Sequence, residues 1–509
     1  MRCVFVLFDT LNRRSLGCYG GTTVKTPNFD RFARAAIAFD NHYVGSLPCM
    51  PARREIMTGR YNFLHRSWGP VEPFDNAFPE LLGTGAGTYV HLVSDHAHYW
   101  QDGGATYHTR YDSAELIRGQ EKDSWKGIVN PPASWAEEYH PSQYSSSRRH
   151  RYRRNITNRQ FYKDYEDYPA VQTFTTGLEF LKLNKDADNW FLQIETFDPH
   201  EPFQVPPSFR EDYPTEYRGP ILDWPVYGPA KQTADEADEL RANYAATLAH
   251  CDLQLGRLLD YFDEHDLWKD TALVLATDHG FLLGEQEMWG KLVMPVYNEV
   301  AHIPLLVYHP KHVRQGGQRR TALTQTIDLM PTFLDMFGVG LPADVMGKSL
   351  MPLLSEDDKN FRQAALYGQH GAAINITDGR YTYFRYPDDV RGGKLNQYTL
   401  MPTHIESLFS VEELRGAELA PPFSFTKGVP VLKVASTPLS PVYHRQGAGI
   451  QIDTESRLFD LQSDPRQLKR INDRTVEERL VDEMTRIMDE TDCPKELYER
   501  FDLPNLKLS

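Results

Sequence analysis

Cys49 sits in the run Pro48-Cys49-Met50-Pro51-Ala52-Arg53, which continues to Thr58-Gly59. Pro51 suits the first turn of a helix, where a missing N–H costs nothing. Cys49 then falls just before the helix N-terminus, where free amides and the positive end of the helix dipole favour an anion. Arg53 lies one turn on and can point back at the same spot. A cysteine placed this way is a candidate nucleophile or metal ligand. The same Cys and Arg can equally do no more than cap and pack a helix, and so short a motif leaves both readings open.

Carboxylates stand at two strand ends. Asp9 closes the apolar run 3–8, and Asp278 with His279 closes the run 272–277, before Gly280. Ligands of open α/β sheets bind beyond the carboxyl ends of the strands. Oxygen-rich clusters there suit a hard divalent cation, and the nitrogen of His279 tilts the set toward manganese or zinc. Further polar groups follow similar runs. His200 lies in Asp198-Pro199-His200-Glu201-Pro202-Phe203, Lys291 follows Trp289-Gly290, and His96 and His98 follow the run 89–94. Singly, an Asp after a strand is a helix cap and a loop histidine is a packed residue; together they mark a candidate site.

Apolar runs at 3–8, 190–195, 272–277 and 303–308 read as buried strands. The stretch 233–265 reads as one long helix, with Leu240, Tyr244, Leu248, Leu255 and Leu259 near one face. Strands alternating with helices predict an α/β domain with a large, mainly parallel sheet between helices, over residues 1–370. Thr26-Pro27 predicts a capped helix start. Residues 371–509 predict a smaller α+β subdomain. It holds a hairpin at 374–386 with an Asp-Gly turn, a strand at 458–461, and a last helix with Thr475 and Glu478 as its capping box. Residues 120–170, rich in Tyr, Ser and Arg, read as a surface insertion with a solvated basic run, or as a means of drawing in an acidic polymer or partner. In 96–108 the His, Tyr and Trp residues fit stacking on a sugar or aryl group, and fit core packing equally.

The net charge of −15 over 509 residues argues against a general nucleic-acid binder. It leaves room for a small anionic substrate, since exposed charges are screened beyond about 8 Å. Five scattered cysteines without zinc or redox spacing point to a reduced compartment. With no signal-like start and no run of membrane length, the expectation is a soluble cytoplasmic protein that contacts neither membrane nor nucleic acid. Oligomeric state is not legible.

The whole pattern resembles the type I sulfatases, which have an alkaline phosphatase-like fold. Cys49-Met50-Pro51-Ala52-Arg53 matches their Cys-x-Pro-x-Arg signature. The likeness extends over most of the chain, through Asp9-Thr10, 25–32, 198–203, Thr277-Asp278-His279-Gly280, 295–307 and 458–465. It implies that a formylglycine-generating enzyme oxidises Cys49 to formylglycine. It implies that Asp9, Thr10, the modified Cys49, Asp278 and His279 hold one divalent ion, usually calcium, with manganese or magnesium as alternatives. The hydrated formylglycine would attack sulfur of a small sulfated substrate, a sugar among the candidates, as ester or sulfamate. Arg53, Lys291 and His96 would steady the transferred oxygens, His200 with Lys291 would protonate the leaving alcohol, and His98 would release sulfate by deprotonating the second hydroxyl. Thr10, His96 and His279 depart from the common sulfatase pattern. His279 matches the phosphonate monoester hydrolase branch, so phosphonate monoester or phosphodiester hydrolysis is the alternative. A degenerate fold that merely binds an anionic glycan is a third reading.

Overall fold

The strand Arg2–Phe8 (β1) builds two cores at once. Val4, Val6 and Phe8 enter one apolar cluster, while Cys3, Phe5 and Leu7 enter another. Side chains alternate along a strand, so a run apolar at every position must be covered on both faces. The computed structural model describes residues 1–504; the described part of the expected 371–509 unit therefore ends at 504.

Seven more strands complete the large sheet: β2 (Ile37–Tyr43), β3 (Tyr89–Ser94), β4 (Ser113–Leu116), β5 (Trp190–Thr196), β6 (Thr271–Thr277), β7 (Leu305–Tyr308) and β8 (Arg319–Gln325). Their spatial order is β8-β2-β7-β6-β1-β5-β3-β4. Only β7 runs antiparallel to its neighbours in this sheet. One face packs on Phe29 and Phe32 of the helix Pro27–Ala35 and on the helix Ala234–Glu264. That long helix buries the expected Leu240, Tyr244, Leu248, Leu255 and Leu259. The opposite face packs on the helices Cys49–Thr58, Phe78–Ala86 and Leu329–Met336. The mainly parallel sheet between helix layers is the architecture the sequence predicts.

The smaller sheet is antiparallel: Ala365–Gln369, Ala373–Thr377, Tyr381–Arg385 and Arg457–Asp460, in that order. Its first strand lies before residue 371. The predicted hairpin forms, and Gly379 takes φ 88°, the left-handed conformation its turn requires. The helix Arg474–Glu490 covers this sheet with Leu480, Met484 and Met488. Among the described residues, no helix is long and apolar enough to cross a membrane.

Three local expectations need correction. Thr26 does not cap its helix: its hydroxyl accepts the Gly17 N–H instead. The amides of Asn28 and Phe29 donate to Asp252 Oδ1, each at 2.9 Å. A carboxylate from the long helix thus takes the N-terminal site, where negative charge is favoured. The helix expected near Thr475 starts at Arg474, capped by Asp473 Oδ1 accepting Val476 N–H at 3.1 Å, so Thr475 and Glu478 form no box, and it is not the last helix, since Lys495–Arg500 follows it. The basic run near residue 150 is not simply solvated. The helix Arg151–Arg159 buries Tyr152, Arg153, Asn155, Ile156, Thr157 and Asn158, because Tyr152 packs edge-on to Trp224 and Arg159 forks onto Asp223 at 2.7 and 2.8 Å.

Candidate functional site

Four adjacent parallel strands, β6-β1-β5-β3, deliver the site from their carboxyl ends. Phe8 is level with Thr277 and with Thr196, so Asp9 and Asp278 leave the sheet side by side. The helix Cys49–Thr58 begins at Cys49 itself and is buried over all ten residues. Cys49 Sγ lies 3.2 Å from His279 Nε2 and 4.0 Å from Asp9 Oδ1.

One ligand atom from each of Asp9, Cys49, Asp278 and His279 lies within 4.8 Å of the others, and all four residues are buried. His279 Nδ1 is 3.1 Å from the Gly280 carbonyl, which can only accept. The proton is therefore on Nδ1, and the Nε2 lone pair faces the cluster. Asp9 Oδ2 accepts no hydrogen bond. Two carboxylates and a correctly oriented imidazole are a donor set that fits a divalent cation.

Arg53 holds this cluster together. Its Nε donates to Glu195 Oε1 at 2.6 Å, Nη1 to Asp278 Oδ2 at 2.5 Å, and Nη2 lies 3.1 Å from Asp9 Oδ2. Thr10 Oγ1 donates to Asp9 Oδ1 at 2.6 Å and accepts from Lys291 Nζ at 2.9 Å. Thr10 does so from φ 62°, a strained conformation for a β-branched residue. His96 Nδ1 accepts the His98 N–H at 3.3 Å, which leaves its proton on Nε2, 3.5 Å from Asp9 Oδ2.

Burial, then Asp9 and Asp278, push the Cys49 thiol well above its usual range. Burial and the neighbouring Asp9 raise Asp278 to about 8. Burial would also raise Asp9, but Lys291, His200 and Arg53 outweigh it and hold Asp9 well below the usual carboxylate range.

Cys49, His98, His200 and Lys291 line a cavity of about 690 Å³, with Trp68 and Tyr227 among its walls. Asp9, Thr10, Arg53, His96, Asp278 and His279 lie behind that wall. Every predicted site residue is thus in one assembly, but in two rows. Arg53 and His96 bear on carboxylates, and neither lines the cavity from which the transferred group would be reached. His200 Nδ1 donates to the Glu201 carbonyl at 2.5 Å, and His98 Nδ1 faces Gln101 Oε1 at 2.5 Å, so Nε2 is the free nitrogen of each.

Sequence reasoning missed Glu195, whose Oε2 also accepts Tyr99 Oη at 2.8 Å. Its signal was a lone acid closing the apolar run 190–195. It also missed Glu201, raised by burial to about 7 and bonded by Tyr227. The aromatics of 96–108 resolve toward packing, since Tyr99 and Tyr107 belong to the core.

Two family models match the chain: the sulfatase model over residues 2–339, and the C-terminal model of N-sulphoglucosamine sulphohydrolase over residues 284–412. An N-acetylglucosamine-6-O-sulfatase of Bacteroides thetaiotaomicron is 27% identical, covering 72% of this chain and 73% of the relative. A multifunctional alkaline phosphatase superfamily protein of Trinickia caryophylli is 24% identical, covering 65% and 72%. Two solved structures share the fold. One, described as a complex with its substrate D-glucosamine-2-N,6-O-disulfate, has a TM-score of 0.64 at 17% identity, covering 98% of each chain. The other is a phosphonate monoester hydrolase from Silicibacter pomeroyi, with a TM-score of 0.63 at 19% identity, covering 100% and 96%.

Proposed function

The chain belongs to the sulfatase family and is a sulfuric ester hydrolase, and from that premise we propose that it removes sulfate from a small sulfated saccharide, using formylglycine made from Cys49. The observation that carries the reading is the convergence of Asp9, Cys49, Asp278 and His279 directly behind a cavity lined by Cys49, His200 and Lys291.

Asp9, Asp278 and His279, with the group derived from Cys49, would hold a divalent cation, calcium by family likeness. When bound, the cation polarises the ester and the formylglycine hydrate offers two hydroxyls on one carbon. The chain's own residues do the rest. Arg53 holds the carboxyl groups of Asp9, Asp278 and Glu195 aligned. Lys291 stays cationic: burial disfavours its charge, but the carboxyl groups of Glu201, Asp9 and Asp278 favour it. It thus presents a fixed positive charge to the sulfuryl oxygens. His200, with Nδ1–H held by the Glu201 carbonyl, offers Nε2 for proton transfer to the leaving alcohol; burial and Lys291 hold its pKa well below the ordinary value, so its charged form is a strong acid. His98 Nε2 takes the proton whose removal frees sulfate. The sum is ester plus water giving alcohol and sulfate.

The test is threefold. After co-expression with a formylglycine-generating enzyme, the peptide spanning Cys49 should lose about 18 Da. Elemental analysis should find one tightly held divalent ion, with calcium expected and manganese the competing outcome. Kinetics on an aryl sulfate should exceed those on the matching aryl phosphonate monoester and phosphodiester. The imidazole of His279 within the ligand set favours the phosphorus-ester alternative, so a preference for those esters would replace the sulfate reading.

A further inference from the structure

The cavity at Cys49 holds more cations than its floor engages. Six lysine and arginine side chains line it against three glutamates, in a chain of net charge −15. Lys291 is engaged at the floor by Thr10 and Asp9, at 2.9 and 3.6 Å. Lys122 and Arg445 close on the two oxygens of Glu406, at 2.6 and 3.2 Å. Arg149, Arg151 and Arg154 remain. Among the described residues none of these three has a carboxylate oxygen within 4.0 Å.

One of these cations is held in place, and a second shares its helix face. The helix Arg151–Arg159 is capped by His150, whose Nδ1 accepts the Tyr152 N–H at 3.3 Å. Arg151 and Arg154 are three residues apart and so share a helix face, while Tyr152 and Ile156 anchor the helix in the protein. The Arg151 guanidinium lies over Tyr152 and Trp224, 4.9 and 5.2 Å from the ring centres, and donates once, to Tyr152 Oη at 3.1 Å. A guanidinium has five N–H donors in a planar fork, so most of its donors are unused. Arg159, on the same helix, shows the contrast: where an arginine is structural, the fold supplies Asp223 in a two-pronged pair.

We propose that Arg151 and Arg154, with Arg149 at the outer rim, form a subsite for a second anionic group of the substrate. The molecule cleaved at Cys49 is then a saccharide with at least two acidic groups. This rests on the sulfatase reading of the floor. A forked guanidinium matches a sulfate or a carboxylate equally well. The cavity is within the roughly 300–1,000 Å³ of sites that enclose one small ligand, so both groups belong to one sugar or to two joined sugars. Trp68 and Tyr227 supply the faces on which a ring can lie.

The test uses full-length, calcium-loaded protein carrying Cys49→Ala, so that nothing is consumed. Calorimetry compares N-acetylglucosamine 6-sulfate, D-glucosamine-2-N,6-O-disulfate and a uronate-linked 6-sulfated disaccharide. The two doubly charged sugars separate a second sulfate from a second carboxylate. At least one should bind about 10- to 100-fold more tightly than the monosulfate, as expected for charge-assisted hydrogen bonds. That advantage should disappear when Arg151→Gln and Arg154→Gln are added together. Affinity independent of the number of acidic groups, or an advantage that survives the double change, overturns the proposal. Because Arg151 packs on Trp224, Arg149→Gln and Arg154→Gln are also made singly; if neither reduces the advantage, the subsite is wrong. Turnover of 4-nitrophenyl sulfate by matured wild-type protein reports separately on the floor. Its absence, with the charge ranking intact, would sink the sulfatase chemistry at Cys49 and leave the anion subsite standing.

Discussion

Behind the floor of the cavity Arg53 meets Asp9, Glu195 and Asp278 within 3.1 Å, whereas at the rim Arg149, Arg151 and Arg154 have no carboxylate oxygen within 4.0 Å among the described residues. The floor is fully buried, and its charges must answer one another, because an unpaired ion in a low-dielectric interior is costly. The rim borders water, so its cations can wait for a ligand. The floor is carried by strand ends that the central sheet holds in register. The rim is carried by an insertion anchored through Tyr152, Trp224 and the Arg159–Asp223 pair. On the proposed reading, reaction type resides in the floor and the choice of substrate in the rim.

The sharpest division should appear at Cys49. Cys49→Ala should lower kcat by about 10⁶-fold on every sulfate ester, as removal of a nucleophile does, while rim changes act selectively among esters. A residual rate within tenfold of wild type would place the chemistry elsewhere. Stability should separate the regions next. Arg53→Gln leaves three buried carboxylates short of a partner and should cost about 3–5 kcal/mol in urea unfolding. Arg154→Gln should stay within about 0.5 kcal/mol. Equal costs would erase the contrast between paired floor and open rim.

Cation binding should follow the same line. At a calcium concentration of about 100 times Kd, stability should rise by about 2.7 kcal/mol in wild type and in Arg154→Gln. The gain should vanish with Asp9→Asn plus Asp278→Asn; a gain that persists there would move the ion away from the floor. The smallest effect concerns the sheet outside both regions. His42 on β2 is fully buried and bonded to Thr324, and burial lowers its pKa to about 3. The folded state refuses a proton that the unfolded state accepts below its ordinary value of 6.5. Stability should thus fall as pH drops through 6.5, by about 2 kcal/mol at pH 5. His42→Gln should flatten that part of the pH–stability curve. An unchanged slope would assign the acid sensitivity to another group.

Much of the floor was legible because its signals are local. A strand that must be covered on both faces is apolar throughout, so Asp9 and Asp278 stand out where the runs end. Pro51 and Arg53 mark the helix at Cys49 in the same way. His96 was legible as a site residue but not in its role. Only the fold shows it beside Asp9 and outside the cavity lining. Glu195 was harder to see, since a single acid at a strand end has no partner in the linear sequence; Arg53 reaches it from 142 positions away.

By itself the sequence determined the family chemistry and the sheet that carries it, because short-range periodicity, turn residues and one nucleophile motif are properties of neighbouring residues. The tertiary structure alone decided which of these groups line the cavity and which stand behind it, and that the basic run near residue 150 borders the same cavity as Cys49. The physical reason is common to both. Charge pairing and burial are set by distances between remote segments, and those distances exist only once the sheet and its insertion have packed.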